Sequence, residues 1–201
     1  MHAEGIEIGI VIGAGNLFRA INLKESGLQR TSADQMGMLG TILNGIALQQ
    51  SLEGEGCPAK LFSALEVPRV ADTYNWNKAL ESLQAGQVVI FVGGTGNPYF
   101  TTDTAAALRA SEIKADVLLK ATKVDGIYDK DPAKHADAKR YQEISYTQFL
   151  AQKLEVMDST AVALCMSNHI PVLVYDMQLL MQGKGMEILK RPELGTILKG
   201  D

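Results

Sequence analysis

Short runs of continuous apolar residues alternate along this chain with longer stretches in which apolar residues recur every three or four positions. The clearest run is Val88-Val89-Ile90-Phe91-Val92: five apolar, mostly β-branched residues, the pattern of a strand buried on both faces. Residues 6–12, 115–120 and 171–175 repeat it, and 60–64 and 195–199 are further strand candidates. Between them, residues 34–52 place Met38, Ile42, Ile46 and Gln49 on one helical face. Residues 74–84 read as an amphipathic helix stopped at Gly86, and an alanine-rich helix starts at Asp103. Residues 141–153 contain a helix, and Asp158 opens another over 158–168. Residues 21–32 show little periodicity. Strands alternating with helices predict an α/β fold: a mainly parallel sheet with helices on both faces.

The chemistry is concentrated where strands end. Residues 93–104 carry Gly93, Gly94 and Gly96, then Asn97-Pro98, and Thr101 or Thr102 in position to cap the next helix. A glycine loop between a buried strand and a helix N-terminus is a common place to hold a polar or anionic ligand. Gly13-Ala14-Gly15-Asn16-Leu17-Phe18-Arg19 repeats the arrangement after the first strand. Main-chain N–H groups and an Arg fork together suit a phosphate, although Arg19 reads equally as a solvated surface charge. Asp34 is either a helix cap or a carboxylate for ribose hydroxyls. A third polar loop, residues 121–132, contains Asp125-Gly126 and Asp131-Pro132 turns. Its Tyr128 either stacks on a base or seals the loop. Lys120 and Lys123 read as solvated, and Asp158 as an ordinary N-cap. The three loops are expected on the C-terminal edge of one sheet, where two nucleotide-like ligands could meet for phosphoryl transfer.

Composition narrows this further. At 201 residues the chain suggests one domain with an ample core. A net charge of −4 implies no broad nucleic-acid or membrane surface. No apolar run reaches membrane-spanning length. Cys57 and Cys165 are far apart, which fits a reducing compartment and argues against structural zinc. His2, His135 and His169 lack metal spacing, so no metal ligand is assigned. There is no G-x-x-x-x-G-K-[ST] motif, and Phe18 stands where a dinucleotide fingerprint needs its third glycine.

Five segments together carry a resemblance. They are residues 11–19, Asp34-Gln35-Met36-Gly37-Met38, residues 94–103 (Gly-Thr-Gly-Asn-Pro-Tyr-Phe-Thr-Thr-Asp), residues 120–126 with Asp131-Pro132, and Val156-Met157-Asp158. In these the chain resembles the bacterial UMP kinases of the amino-acid-kinase superfamily, in order and over its whole length. The resemblance implies a three-layer αβα sandwich, a single domain over 1–201, and phosphorylation of UMP to UDP by ATP. On the UMP side it implies Ala14, Asp34, Thr95, Gly96, Asn97, Pro98, Tyr99, Phe100, Thr101 and Thr102. On the ATP side it implies Gly15, Arg19, Thr122, Tyr128 and Asp131. Arg19 is expected to span the transfer, and Asp158 to orient a catalytic lysine or magnesium. It also implies Mg²⁺ with ATP, a cytoplasmic homohexamer, activation by GTP and inhibition by UTP.

The chain departs from the family's pattern twice. Ala14 stands where the family has glycine, a mild change if its φ is negative. The family's opening strand with Lys-x-Ser-Gly is expected ahead of residue 6, so the resemblance implies an N-terminally incomplete domain that folds poorly and turns over little UMP. Two rivals follow: another small-molecule kinase of the superfamily, and a nucleotide-binding remnant without turnover.

Overall fold

The computed structural model describes residues 1–17 and 27–200. These fall into two compact units, residues 2–113 and residues 114–200 with Met1.

The first unit is built on a four-stranded, fully parallel sheet in the order β1-β4-β2-β3: β1 (Gly9–Val11), β2 (Ala59–Ser63), β3 (Asp72–Thr73) and β4 (Val88–Val92). All five residues of β4 are buried, as their apolar run requires. They divide between the two faces of the sheet by the two-residue period of a strand. Val88, Ile90 and Val92 pack with Leu61 and with Ile42, Ile46 and Leu52 of α1 (Arg30–Gly54). Val89 and Phe91 pack with Ala79 and Leu83 of α2 (Trp76–Gln84) and with Ile113, just past the end of α3 (Thr102–Glu112). Helices on both faces make this unit a three-layer αβα sandwich. Gly45 lets α1 lie directly on the sheet, because a Cβ there would collide with the Val92 and Leu61 side chains.

The second unit holds another four-stranded sheet in the order β5-β7-β8-β6: β5 (Leu118–Thr122), β6 (Glu143–Ser145), β7 (Val172–Asp176) and β8 (Gly195–Lys199). β5–β7 and β6–β8 are parallel pairs, and β7–β8 is antiparallel. Its helices are α4 (Tyr146–Ala151), α5 (Ser159–Ser167), α6 (Gln178–Met181) and α7 (Gly185–Lys190). Ile188 of α7 packs against Leu173 and Tyr175 of β7. The Tyr146 hydroxyl donates to the Ile170 carbonyl at 2.5 Å, so the buried phenol is satisfied.

The α/β class and the mainly parallel pairing agree with the sequence pattern. Three expectations change. The long helix begins at Arg30, so Asp34 lies inside it and is not its cap. The first strand is shorter than residues 6–12, although Val89 N–H still donates to the Ile8 carbonyl. The three loops do not share one sheet, because the third follows β5 in the second unit. Among the described residues no helix is long and apolar enough to cross a membrane.

Candidate functional site

β1 and β4 are parallel neighbours, so the loops that follow them emerge side by side. With the N-terminal halves of α1 and α3 they enclose a cavity of about 280 Å³. Ala14 and Gly15 line it from the first loop, Thr95, Asn97, Phe100 and Thr101 from the second, Arg30, Asp34 and Met38 from α1, and Thr102 from α3.

The second loop is held by its backbone. Gly93, Gly94 and Gly96 have φ values of 77°, 58° and 81°, in the left-handed region open to glycine. A Cβ on Gly93 would stand 3.0 Å from the Leu65 nitrogen. Gly93 N–H donates to the buried Thr41 Oγ1 of α1 at 2.7 Å. Tyr99 also has a positive φ, 73°, a strained value for an aromatic residue. Its N–H donates to Asp34 Oδ2 at 2.8 Å, which compensates part of that strain. Asp34 is fixed in turn by Arg30, whose Nε donates to both carboxylate oxygens at 2.9 and 2.7 Å. The Arg30 guanidinium also lies 5.6 Å from the centroid of the Tyr99 ring.

The first loop is tied from the side. Asn44 Nδ2 donates to the Gly13 carbonyl at 2.8 Å, and the Asn44 and Asn16 amides exchange hydrogen bonds at 2.8 and 3.1 Å. A Cβ on Gly13 would meet Thr102 Oγ1 at 3.1 Å, whereas one on Gly15 would meet nothing within 4 Å. Ala14 is buried and lies outside the left-handed region, so its methyl imposes no backbone strain there. Thr101 caps α3 through Oγ1, which accepts from the N–H groups of Asp103 and Thr104 at 3.1 and 3.3 Å. The positive end of that helix therefore meets the cavity through Thr101 and Thr102 and favours an anion.

Seven of the ten residues expected on the UMP side line this one cavity: Ala14, Asp34, Thr95, Asn97, Phe100, Thr101 and Thr102. Gly96, Pro98 and Tyr99 belong to the same loop without lining it. Gly15, expected on the ATP side, lines the same cavity. Arg19 lies outside the described residues. Thr122, Tyr128, Asp131 and Asp158 belong to the second unit.

There, Thr122 ends β5, with Oγ1 accepting from Val124 N–H at 3.3 Å. The Tyr128 hydroxyl donates to Asp125 at 2.6 Å, a bond that raises the phenol above its ordinary pKa. That bond and the bridge to Arg140 tie Tyr128 into its own loop. Asp131 accepts from Ala133 N–H at 2.9 Å and pairs with Lys134 at 3.2 Å, and these hold its carboxyl below the usual range. Asp158 caps α5, accepting from Ala161 N–H at 3.0 Å, as its position ahead of an apolar helix predicts.

Sequence reasoning misses Arg30, Thr41, Asn44 and Arg109, all of which hold the cavity's walls. The i,i+4 spacing of Arg30 and Asp34 and the i,i+3 spacing of Arg109 and Glu112 on helices are the available signals. Thr41 and Asn44 reach the glycine loops only through long-range packing.

The amino acid kinase family model matches residues 1–176. Curated uridylate kinases are similar to this chain. That of Protochlamydia amoebophila is 58% identical over 96% of this chain and 77% of its own length. That of Magnetococcus marinus is 51% identical over 99% of this chain and 78% of its own length. Among solved structures, the UMP kinase of Bacillus anthracis superimposes with a TM-score of 0.93 at 33% identity, covering 99% of this chain and 82% of that one. The UMP kinase of Ureaplasma parvum gives 0.87 at 35% identity, with 98% and 86% covered. The cavity between two glycine loops thus sits in a chain that belongs to the amino acid kinase family, on its uridylate kinase branch.

Proposed function

We propose that the chain transfers the terminal phosphoryl group of ATP to UMP, giving ADP and UDP. The observation that carries this is Asp34: a carboxylate fixed by Arg30 and by Tyr99 N–H in the wall of the cavity. Those bonds leave acceptor capacity for ribose hydroxyls. Uridylate kinases at 58% and 51% identity supply the acceptor's identity. The glycine-loop amides and the N-terminus of α3 supply the electropositive surround for its phosphate.

Phosphoryl transfer asks little covalent chemistry of a protein. It asks for in-line alignment and for positive charge facing the oxygens on which negative charge spreads. Arg19 is assigned that cationic role, Thr122, Tyr128 and Asp131 the adenosine side, and Asp158 the orientation of the reacting groups. Among the described residues no group of three or more His, Cys, Asp or Glu side chains could hold a metal ion. Mg²⁺ is assigned to the donor's phosphate oxygens, entering with ATP as part of the substrate, the usual mode of phosphate-bound magnesium. A cytoplasmic homohexamer supplying the pyrimidine nucleotide pool, activated by GTP and inhibited by UTP, completes the proposal. The two free cysteines are compatible with that compartment.

The test is a coupled assay of ADP release with UMP, CMP, glutamate or carbamate as acceptor. UMP is expected to drive release and the others to leave it at background. Release driven by glutamate or carbamate, or none with UMP, would overturn the assignment.

A further inference from the structure

Behind the second glycine loop, away from the cavity lining, lies a buried cation. Arg109, on α3, is 5% exposed. One arm of its guanidinium, Nη1, pairs with Glu112 Oε2 at 2.5 Å, and the other, Nη2, donates to the Gly94 carbonyl at 3.2 Å. The centre of the guanidinium lies 3.8 Å from the centroid of the Tyr74 ring. Tyr74 completes the cluster by donating its hydroxyl to the same Glu112 oxygen at 2.5 Å, and its ring meets Phe91 of β4 edge-on, 5.7 Å between centroids.

We propose that Arg109 is a positioning residue for the acceptor nucleotide, setting the orientation of the Gly94 peptide and with it the cavity-facing Thr95 and Asn97. This rests on the UMP reading of the cavity.

Three considerations support it. A buried ion pair is a poor source of net stability, since apolar residues of similar volume usually do as well. What it supplies instead is direction. The planar fork of Arg offers separate arms to Glu112 and to Gly94 while its face stacks on Tyr74, which the point charge of a lysine cannot do together. Gly94 needs such a hold because its left-handed φ of 58° belongs to a residue with the widest conformational freedom. Asp34 fixes the far end of the same loop through Tyr99 N–H, so the segment between is clamped at both ends. The cluster's acceptor at the loop is a backbone carbonyl, so the identity of residue 94 carries no trace of the contact.

The test compares wild type with Arg109→Lys, which keeps the charge and loses the fork. Steady-state kinetics separate the constants for UMP and ATP, and amide hydrogen exchange follows the peptide spanning residues 93–100. The expected result is a KM for UMP raised about tenfold, with kcat and the KM for ATP within about twofold. Exchange of the 93–100 peptide should quicken about tenfold while the peptide spanning residues 9–17 is unchanged. A variant that loses melting temperature or kcat but keeps the KM for UMP and the loop's exchange rate would reduce Arg109 to a structural role and overturn the proposal. If Arg109→Lys does not fold, Glu112→Gln weakens the anchor from behind. It should raise the KM for UMP about threefold with faster loop exchange, and no change in either overturns the proposal. The exchange readout needs no turnover, so it tests the clamp even if UMP proves not to be the acceptor.

Discussion

The two glycine loops that wall the cavity follow parallel neighbouring strands, yet they are held in different ways. The loop after β4 is fixed through its backbone: three left-handed glycines, a strained Tyr99, and hydrogen bonds to Thr41, Asp34 and Arg109 from three directions. The loop after β1 has no left-handed residue over residues 12–17, and a single side chain of α1, Asn44, ties both Gly13 and Asn16. The second loop is a preformed wall, whereas the first is a tethered strip with open space at Gly15. A pocket that must recognise one nucleoside benefits from the first kind of construction. A segment that must follow phosphates as they move benefits from the second.

The largest expected effect tests the cavity-side anchor of the preformed wall. Asp34→Ala removes the partner of both Arg30 and Tyr99 N–H, and should raise the KM for UMP by about 10- to 100-fold with a much smaller change for ATP. Equal shifts for both substrates would erase the distinction between the loops. Next comes a pair of glycine substitutions. Gly93→Ala places a methyl against the Leu65 nitrogen at a φ of 77° and should cost about 1–3 kcal/mol of stability in thermal unfolding. Gly15→Ala meets nothing within 4 Å and should stay within about 0.5 kcal/mol, while lowering UMP turnover because the methyl enters the cavity.

A smaller effect is expected from Asn44→Ala, which frees the first loop. Stability should fall by about 1 kcal/mol and kcat/KM by about threefold to tenfold. The smallest concerns pH. Burial, and then the bond to Glu112, push the Tyr74 phenol above its ordinary value of 10.0. The folded state therefore keeps the proton after the unfolded state has begun to release it. Stability of the first unit should be level below about pH 10 and fall as pH rises beyond it, with Tyr74→Phe flattening that alkaline limb in denaturant titrations.

Much of this site is legible in the chain's pattern because its parts are local. A five-residue apolar run, three glycines and a threonine before a helix announce strand, loop and cap in one short stretch, and Thr101 proves to be the cap. The Asp158 cap is similarly local. What cannot be read is what arrives from elsewhere in sequence. Thr41 reaches Gly93 from 52 positions away and Asn44 reaches Gly13 from 31. Arg109 pairs with Glu112 on its own helix, but the Gly94 carbonyl and the Tyr74 ring that complete its buried site come from elsewhere in sequence. The start of α1 escapes the pattern for a different reason: Gln29 makes no side-chain cap bond, so the helix lacks the usual opening signal. The two-sheet division lies in which strands pair, β1-β4-β2-β3 apart from β5-β7-β8-β6, and apolar runs do not record pairing partners.

Gly45 gives the long helix a fulcrum. Asp34 stands eleven positions up the helix, about 16 Å from the point where α1 rests on β2 and β4. Any side chain at 45 forces the Val92 and Leu61 side chains or the helix itself to give way, and a rigid rod displaced there swings its far end most. A bulky replacement in the hydrophobic interior would therefore register as a change in nucleoside discrimination as well as in melting behaviour. Layer spacing and ligand choice are, in this unit, two readings of the same lever.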